Sequence, residues 1–324
     1  MKKTLLSIFL LATGAGVASA IEDNTVEIVY SGTSATVSVA SNISGIVTDV
    51  SSGSHVRLIQ SAGFAGNALG EITYILSGTS ADGEFYLDGA YKCSLTLNNL
   101  TLTNPSGPAI NVQNGKRVKV SAPSGTVSTL ADGVNEDYNG CFHCKGHTEF
   151  KGKGTLNVVG NSKHAVYSKE YVEVKNLTLN ITGAQKDGIH CKEYFMMESG
   201  TLNISGVADD GIQVELDGTV STGTLADHED EDSGNVYLLD GTLAISNYGS
   251  KAIKADGTVT YTGGTRNFDT ADVTENAISG IDGMIVSGID GTAAVYDLNG
   301  RRTTSSAKGI SVVKMGGQTR KVIR

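Results

Sequence analysis

The sequence of 324 residues contains no tryptophan, only three prolines and four cysteines. After residue 20 it has no apolar stripe at the spacing of an amphipathic helix, which argues against a helical fold. Its first apolar run, over residues 5–11, is too short to span a bilayer, and no second run of that kind follows. A helical bundle and a helical membrane protein are therefore both disfavoured.

Glycine, by contrast, occurs 41 times, and it interrupts long stretches in which β-branched residues alternate with Thr, Ser and Asn. Such alternation is typical of strands, and the glycines are typical of tight turns. We therefore predict an all-β fold.

The N-terminus has the pattern of an export signal. Lys2 and Lys3 precede the apolar run, and Ala18-Ser19-Ala20 provides a small-residue cleavage site. Residues 1–20 are predicted to be a signal peptide, and the mature protein is expected to be secreted or held at the outer cell surface.

The chain without this signal is acidic, but the charge is uneven. Residues 301–324 carry seven basic residues and no acidic ones, whereas residues 21–300 carry 16 basic and 34 acidic residues, a net charge of −18. A protein with this excess of negative charge is not expected to bind nucleic acid. It attracts cations, and it meets an acidic polymer only through local lysines or a bridging metal.

Cys93, Cys141, Cys144 and Cys191 lie in a chain for which export permits disulfides. The Cys141-x-x-Cys144 spacing raises the alternative of a zinc site, but strand alternation puts these two side chains on opposite faces. Packed thiols and disulfide-bonded cysteines both remain open.

A repeat of about 23 residues is the main signal in the sequence. One track is a short strand centred on an apolar residue, and the other is a Thr-Leu-Asn strand that returns at the same spacing. The first track contains Ile110, Phe142, Val166, Ile189, Ile212 and Ile253, and the second contains Leu156, Leu179, Leu202 and Leu243. Strand-only repeats of this length indicate a β-helix, whereas a leucine-rich repeat would need a denser leucine frame and an Asn or Cys ladder.

We therefore predict a right-handed, single-stranded parallel β-helix over residues 71–268, with coils of about 23 residues. A stack of coils needs capped ends, so residues 21–70 are predicted to form an N-terminal cap. Both tracks advance by 41 residues at their last step, which exceeds a coil by 18. An excursion is expected near residues 218–235.

Alternation along the short strands also predicts an outward-facing ribbon, with neighbouring strands about 4.8 Å apart. The candidate carbohydrate-binding side chains are His143, Tyr167, His190 and Gln213 in one column and Lys145, Lys169 and Lys192 in the next. His and Tyr would lie against sugar rings, and Lys would meet hydroxyl or carboxylate groups. A solvated face that binds nothing is the alternative, and three stacked lysines would repel one another unless an anion lay between them.

Acidic residues precede the same strands, and calcium takes six to eight oxygen ligands from carboxylates and carbonyls. The candidate calcium ligands are Asp132, Glu136, Asp137, Asp187, Asp209 and Asp210. No EF-hand spacing is present, and Asp before Gly is also ordinary turn chemistry.

Segments 75–83, 95–104, 107–110 and 129–133 occur together with Asp-Gly-Ile turns at 187–189 and 210–212. Together they resemble a bacterial carbohydrate-binding family whose fold is like that of polysaccharide lyases. The resemblance covers about residues 70–265 and implies a calcium-binding parallel β-helix that binds plant cell-wall polysaccharide, including acidic pectic chains. His164-Ala165-Val166 and Lys251-Ala252-Ile253 depart from the Asp-Gly-Ile pattern.

Residues 276–324 form a separate C-terminal segment that is predicted to be a small β domain. Its run from Ala294 to Arg301, its Lys308-Gly309-Ile310 element and its basic end resemble a sorting domain of the type IX secretion system. The resemblance implies secretion machinery as a partner and removal of the tail after export. Ser311 stands where such domains usually have an aromatic residue.

Three functions are compatible with these features. A monomeric, non-catalytic module that binds polysaccharide in a calcium-dependent way is favoured. A polysaccharide lyase would use calcium to neutralise a uronate and Lys169 or Lys192 to remove the adjacent proton. A surface adhesin or spacer is the third function.

Overall fold

The structure, a computed structural model, describes residues 21–61, 70–218 and 231–275 and four C-terminal strands between residues 294 and 323. Among these residues the fold is all-β, with short 3₁₀ turns at Ser41–Ile43 and Thr270–Asp272 and no α-helix. No helix of this part of the chain is long and apolar enough to cross a membrane. The predicted signal peptide, residues 1–20, and most of the predicted excursion, residues 219–230, lie outside the described residues.

Short strands follow one another along the whole described chain. The first twenty-six are β1 (Thr25–Ser31), β2 (Ser34–Val39), β3 (Val47–Asp49), β4 (His55–Gln60), β5 (Ile72–Ser80), β6 (Glu84–Asp88), β7 (Cys93–Asn104), β8 (Ile110–Val112), β9 (Val118–Ala122), β10 (Val127–Asp132), β11 (Gly140–Cys144), β12 (Thr148–Gly152), β13 (Thr155–Gly160), β14 (His164–Ser168), β15 (Val172–Lys175), β16 (Thr178–Ala184), β17 (Ile189–Lys192), β18 (Tyr194–Met197), β19 (Thr201–Val207), β20 (Ile212–Glu215), β21 (Asn235–Leu238), β22 (Thr242–Tyr248), β23 (Ile253–Ala255), β24 (Val259–Tyr261), β25 (Thr265–Asn267) and β26 (Val273–Glu275). The last four are β27 (Ala294–Asp297), β28 (Arg302–Thr303), β29 (Ile310–Met315) and β30 (Gln318–Ile323).

The strands from β6 to β26 stack in parallel ladders. One ladder runs β9, β12, β15, β18, β21 and β24, and a second runs β10, β13, β16, β19, β22 and β25. The third, which we call the front ladder, runs β6, β8, β11, β14, β17, β20, β23 and β26. Strand β7 pairs with both β9 and β10, so the first two ladders share one 16-stranded sheet, whereas the front ladder lies in a ten-stranded sheet. Long parallel sheets of this kind are those of a β-helix or solenoid.

Pairing between coils joins the residues that the sequence aligns. On the front ladder Phe142 pairs with Val166, Val166 with Ile189, Ile189 with Ile212 and Ile212 with Ile253. All five side chains are fully buried. Parallel strands in register place equivalent residues beside each other, so every coil adds one apolar side chain to a continuous core. The predicted inward direction of this column is confirmed.

Polar side chains stack on the outer side of the second ladder. Asn180 donates from Nδ2 to Oδ1 of Asn157 at 2.9 Å, and Asn203 donates to Oδ1 of Asn180 at 2.8 Å. An asparagine ladder, which is also a feature of leucine-rich repeats, is thus present in this all-β stack. It is partly exposed and links three successive coils through side-chain amides.

The N-terminal residues add strands to both sheets. Strand β1 pairs in parallel with β5 and antiparallel with β2, whereas β4 pairs in parallel with β6 and antiparallel with β3. Antiparallel strands thus lie at this end of each sheet, and the role of residues 21–70 as a cap stays a prediction. Strands β27 to β30 form a separate antiparallel sheet in the order β28-β27-β29-β30.

All four cysteines are buried and unbonded. Cys144 and Cys191 take inward positions of the front ladder, with Ser168 between them. The Ser168 hydroxyl donates to the carbonyl oxygen of Gly146 at 2.7 Å, which satisfies a polar group inside the core. The thiols are therefore packing residues, and among the described residues no cluster of potential metal ligands includes one.

Removing one side chain from the stacked core should weaken the whole array. We expect Ile189→Ala to lower the free energy of unfolding by about 2–5 kcal/mol, because it leaves a cavity between Val166 and Ile212. Urea denaturation followed by circular dichroism measures the change. Val134→Ala is the control, since Val134 is 71% exposed and should change stability by less than about 0.5 kcal/mol. Equal stability of the two variants would contradict the inward assignment of Ile189.

Candidate functional site

The predicted ribbon lies on strands β11, β14, β17 and β20 of the front ladder. His143 pairs with Tyr167, Tyr167 with His190 and His190 with Gln213, so the first column follows the coils in order. The second column, Lys145, Lys169 and Lys192, lies two residues further along each coil. The residue positions of the ribbon are therefore contiguous in space.

The rings of the first column stack on one another. His143 and Tyr167 have ring centroids 5.2 Å apart with an interplanar angle of 14°, and Tyr167 and His190 are 5.6 Å apart at 23°. The spacing of parallel strands, about 4.8 Å, favours face-to-face contact between neighbouring rings. Between neighbours in the column each ring face meets another ring, so the column offers ring edges to a ligand.

The expectation that sugar rings lie against His and Tyr of the ribbon stays a prediction, and the stacking leaves mainly ring edges for such contacts. Tyr138 closes the column further, since its ring meets the His143 ring edge-on with centroids 5.5 Å apart. His143 is only 6% exposed, and Gln213, at the other end of the column, is only 8% exposed. Tyr167 remains partly exposed, and its hydroxyl forms no hydrogen bond with a described residue. It is the ring of this column best placed to meet a sugar hydroxyl.

The three lysines of the second column differ in their surroundings. Lys145 and Lys169 are exposed, and neither forms an ion pair with a described residue. Lys192 lies with its Nζ 3.1 Å from Oδ1 of Asp217, and this hydrogen bond raises the pKa of Lys192. Asp217 is the anion that relieves the repulsion expected of three stacked lysines. Two unpaired cations remain, one coil apart.

A groove of about 240 Å³ opens beside these two lysines. Five of its lining residues belong to the predicted ribbon or to the candidate metal ligands, and three were missed. The lining residues are Gln113, Asp137, Tyr138, Asn139, His143, Lys145, Tyr167 and Lys169. Gln113 could have been found, because it stands three residues after Ile110, as Lys145 stands three after Phe142. Tyr138 and Asn139 belong to a turn that carries no repeat signal.

Burial makes His143 an uncharged member of the groove. Burial, together with the charges of Lys145 and Lys163, lowers the pKa of His143 to about 4. The imidazole is therefore neutral near pH 7. The positive charge of the groove comes from the lysines alone.

Candidate metal ligands lie together at the N-terminal ends of two front strands, just before β17 and β20. Single carboxylate oxygens of Asp187, Asp209 and Asp210 lie within 4.8 Å of one another. Oδ2 of Asp210 is buried and accepts no hydrogen bond within the described part of the chain, although Nζ of Lys254 lies 3.8 Å from it. Burial raises the pKa of this carboxyl. A buried carboxylate oxygen without a hydrogen-bond donor fits a site for a hard cation.

Asp187 also contacts two imidazoles that the sequence analysis did not connect with it. Its Oδ2 lies 3.1 Å from Nδ1 of His164 and 2.9 Å from Nδ1 of His190. Burial raises the pKa of Asp187, but the hydrogen bonds with the two histidines outweigh that effect and lower it. Asp187 is therefore an ionised carboxylate held between two rings. His164 occupies the position of the Asp in the coil before Asp187, where the Asp-Gly-Ile pattern is broken.

The other three candidate ligands are not brought together. Asp132 is buried at the end of β10 and accepts a hydrogen bond from the backbone N–H of Asn161, and burial raises its pKa to about 6. The side chain of Glu136 is 80% exposed and lies 3.6 Å from Nζ of Lys163. Asp137 is exposed at the rim of the groove. Within the described residues, none of the three belongs to a cluster of metal-ligating groups.

The buried position of His143 leads to a measurable titration. We expect an NMR titration of the imidazole protons to give His143 a pKa of about 4, and Lys145→Ala to raise it, because one of the repelling charges is removed. Lys153→Ala is the control, since Lys153 is an exposed lysine beyond β12. A His143 pKa near 6.5 would contradict the burial of this ring.

Comparison with known proteins agrees with the all-β architecture. The chain is similar to a solved structure of the polysaccharide lyase-like protein from C. thermocellum, a gadolinium derivative. The TM-score is 0.57 and the sequence identity 18%, and the match covers 78% of this chain and 100% of that chain. At that identity the likeness concerns the fold. No curated protein matches the chain. The family model described as carbohydrate-binding domain-containing protein matches residues 67–316, and the chain therefore belongs to this family.

Proposed function

We propose that this protein binds acidic polysaccharide along the ribbon of the front ladder, in a calcium-dependent way. Family membership supports a carbohydrate as the ligand. The observation that carries the proposal is the pair of exposed lysines, Lys145 and Lys169, neither of which forms a salt bridge with an acidic side chain of the described residues. In a body with a net charge of −18 over residues 21–300, two unpaired cations beside a groove are suited to carboxylate groups of a ligand.

The arrangement of these lysines also suits a polymer. Lys145 and Lys169 come from successive coils, so their attachment points repeat at the strand spacing of about 4.8 Å. A chain running along the stack would meet one lysine per coil, and the hydroxyl of Tyr167, which lines the same groove, would serve as a hydrogen-bond donor or acceptor. Pectic chains, which carry one carboxylate on each uronate unit, are the proposed class of ligand.

Calcium is proposed to bind at Asp187, Asp209 and Asp210. The three carboxylates have oxygens within 4.8 Å of one another, and one buried oxygen, Oδ2 of Asp210, accepts no hydrogen bond from a described residue. This arrangement fits the preference of calcium for oxygen ligands. Calcium would neutralise their mutual repulsion and hold the turns before β17 and β20 in position beside the ribbon. His164 and Lys251 take the equivalent positions in the flanking coils, so the proposed site is confined to two coils.

Proton abstraction by Lys192, one of the two candidate bases, is disfavoured. A lysine that removes a proton must first be uncharged, and the hydrogen bond with Asp217 raises the pKa of Lys192. In this ion pair, Nζ of Lys192 lies 3.1 Å from Oδ1 of Asp217, so the amino group already has a partner. We therefore propose a binding module. If the ribbon binds no polysaccharide, a surface spacer or adhesin is the function that remains.

We further propose a right-handed β-helix with coils of about 23 residues, exported through residues 1–20 and sorted by its C-terminal domain. The antiparallel sheet of β27 to β30 falls within residues 276–324 and supports a small β domain there. Type IX secretion machinery is the proposed partner of this domain, and the mature protein would be a monomer outside the cell.

Replacing the two unpaired lysines should weaken binding of polygalacturonate. We expect Lys145→Ala and Lys169→Ala each to lower affinity by about two- to fivefold, because each removes one exposed ionic contact, and the double variant to lower it further. Isothermal titration calorimetry with calcium present measures the affinity. Lys153→Ala, on another face, should bind as the unchanged protein does. A double variant with undiminished affinity would show that the ribbon is not the binding surface.

Removing one carboxylate of the proposed calcium site should weaken calcium binding. We expect Asp210→Asn to lower calcium affinity by about tenfold or more, because the amide retains the shape but loses the charge. Competition against terbium luminescence measures it, and Asp240→Asn, at an exposed turn, is the control. If polygalacturonate binds equally well with calcium and with chelator, the calcium dependence is refuted while the lysine ribbon stands.

A further inference from the structure

A second group of ligating side chains lies at the turns that leave the front ladder. His147 follows β11, Glu170 follows β14 and Glu193 follows β17, so each comes from a successive coil. One ligand atom from each of the three lies within 4.8 Å of the other two. Asp187 precedes β17 whereas Glu193 follows it, so the two groups lie at opposite ends of the same strand.

The imidazole in this group is held by a stack of rings. The His147 ring lies over Tyr171 with centroids 4.4 Å apart, and Tyr171 lies over Tyr194 at 4.7 Å. Both tyrosines are buried, so the stack has little freedom to move. The ring position of His147 is thereby fixed beside the two carboxyl groups.

Glu193 points a buried oxygen into the group. Its side chain is 9% exposed, and Oε2 lies 3.4 Å from Nε2 of His147. This oxygen forms no hydrogen bond within the described residues. A buried carboxylate oxygen without a donor is unfavourable unless a cation balances it. Glu193 also has a left-handed backbone, with φ of 62°, which is uncommon for a residue other than glycine.

Further acidic groups surround these side chains. Burial, followed by the hydrogen bond and charge of Glu193, raises the pKa of Glu170 to about 7. Burial raises the pKa of Glu193 as well, and the charges of Asp217 and Asp232 act in the same direction. The turn therefore concentrates acidic groups around one imidazole.

We propose that His147, Glu170 and Glu193 form a binding site for a divalent transition-metal ion of the zinc type. One imidazole nitrogen with two carboxylate oxygens suits such an ion and leaves a coordination position for water, whereas calcium prefers oxygen ligands throughout. Two ligands about 2.0 Å from a tetrahedral ion lie about 3.3 Å apart, close to the 3.4 Å between His147 and Glu193. The site does not depend on the polysaccharide or on calcium at Asp210.

Titration of the mature protein with zinc and with cobalt tests the site, in buffer with excess calcium to occupy hard-cation sites. We expect one zinc ion per chain by calorimetry, with preference over magnesium, and visible absorption from bound cobalt. Glu193→Gln, Glu170→Gln and His147→Gln should each lower zinc affinity by about tenfold or more. Glu136→Gln replaces a glutamate that is 80% exposed and should have no effect.

His190→Gln distinguishes this site from the other histidine-containing group, in which His164, Asp187 and His190 meet. Retention of zinc by this variant, with loss in the three variants above, supports the proposal. Loss in His190→Gln alone would assign the metal to Asp187 and overturn it. Absence of zinc binding by the unchanged protein, or binding retained in Glu170→Gln with native circular dichroism, would also overturn it.

Discussion

In-register pairing of parallel strands is the constraint on which the rest of this structure depends. Each coil lies about 4.8 Å from the next, so a residue type that recurs in the repeat meets its own equivalent in space. For apolar residues this produces the buried column from Phe142 to Ile253. A register shift of one residue would turn that column outward, and burial of the column therefore holds the outer face in register as well.

On the outer face the same constraint brings like groups together, with different consequences for different chemistry. Rings stack, as in the column from His143 to His190, and amides form hydrogen-bonded ladders, as in Asn157, Asn180 and Asn203. Like charges repel, and at two places another side chain balances or replaces one of them. Asp217 balances Lys192, and His164 replaces a further carboxylate beside Asp187.

Three kinds of surface thus follow one another along the direction of the front strands. Carboxylates lie before the strand, the ribbon of rings and lysines lies on it, and His147, Glu170 and Glu193 lie after it. The two groups of ligating side chains differ in composition. The first has three neighbouring aspartates, and the second has one imidazole and two glutamates. Cations of different hardness are therefore suited to the two ends, with the unpaired lysines between them.

The sequence by itself determined the all-β class, the residues that pair between coils and the side of each strand that faces the core, because these follow from a period of two within strands and from the repeat between them. It also indicated Lys145 and Lys169 as candidate carbohydrate-binding residues and Asp187, Asp209 and Asp210 as candidate calcium ligands, and these roles stay predictions. Only the tertiary structure decided how these side chains meet. It turned ring faces against each other, paired Lys192 with Asp217, separated Asp132 from Glu136 and Asp137, and brought His147 to Glu193. Such contacts join different coils through turns of irregular length, and their geometry depends on backbone direction and on neighbouring side chains, which the repeat does not encode.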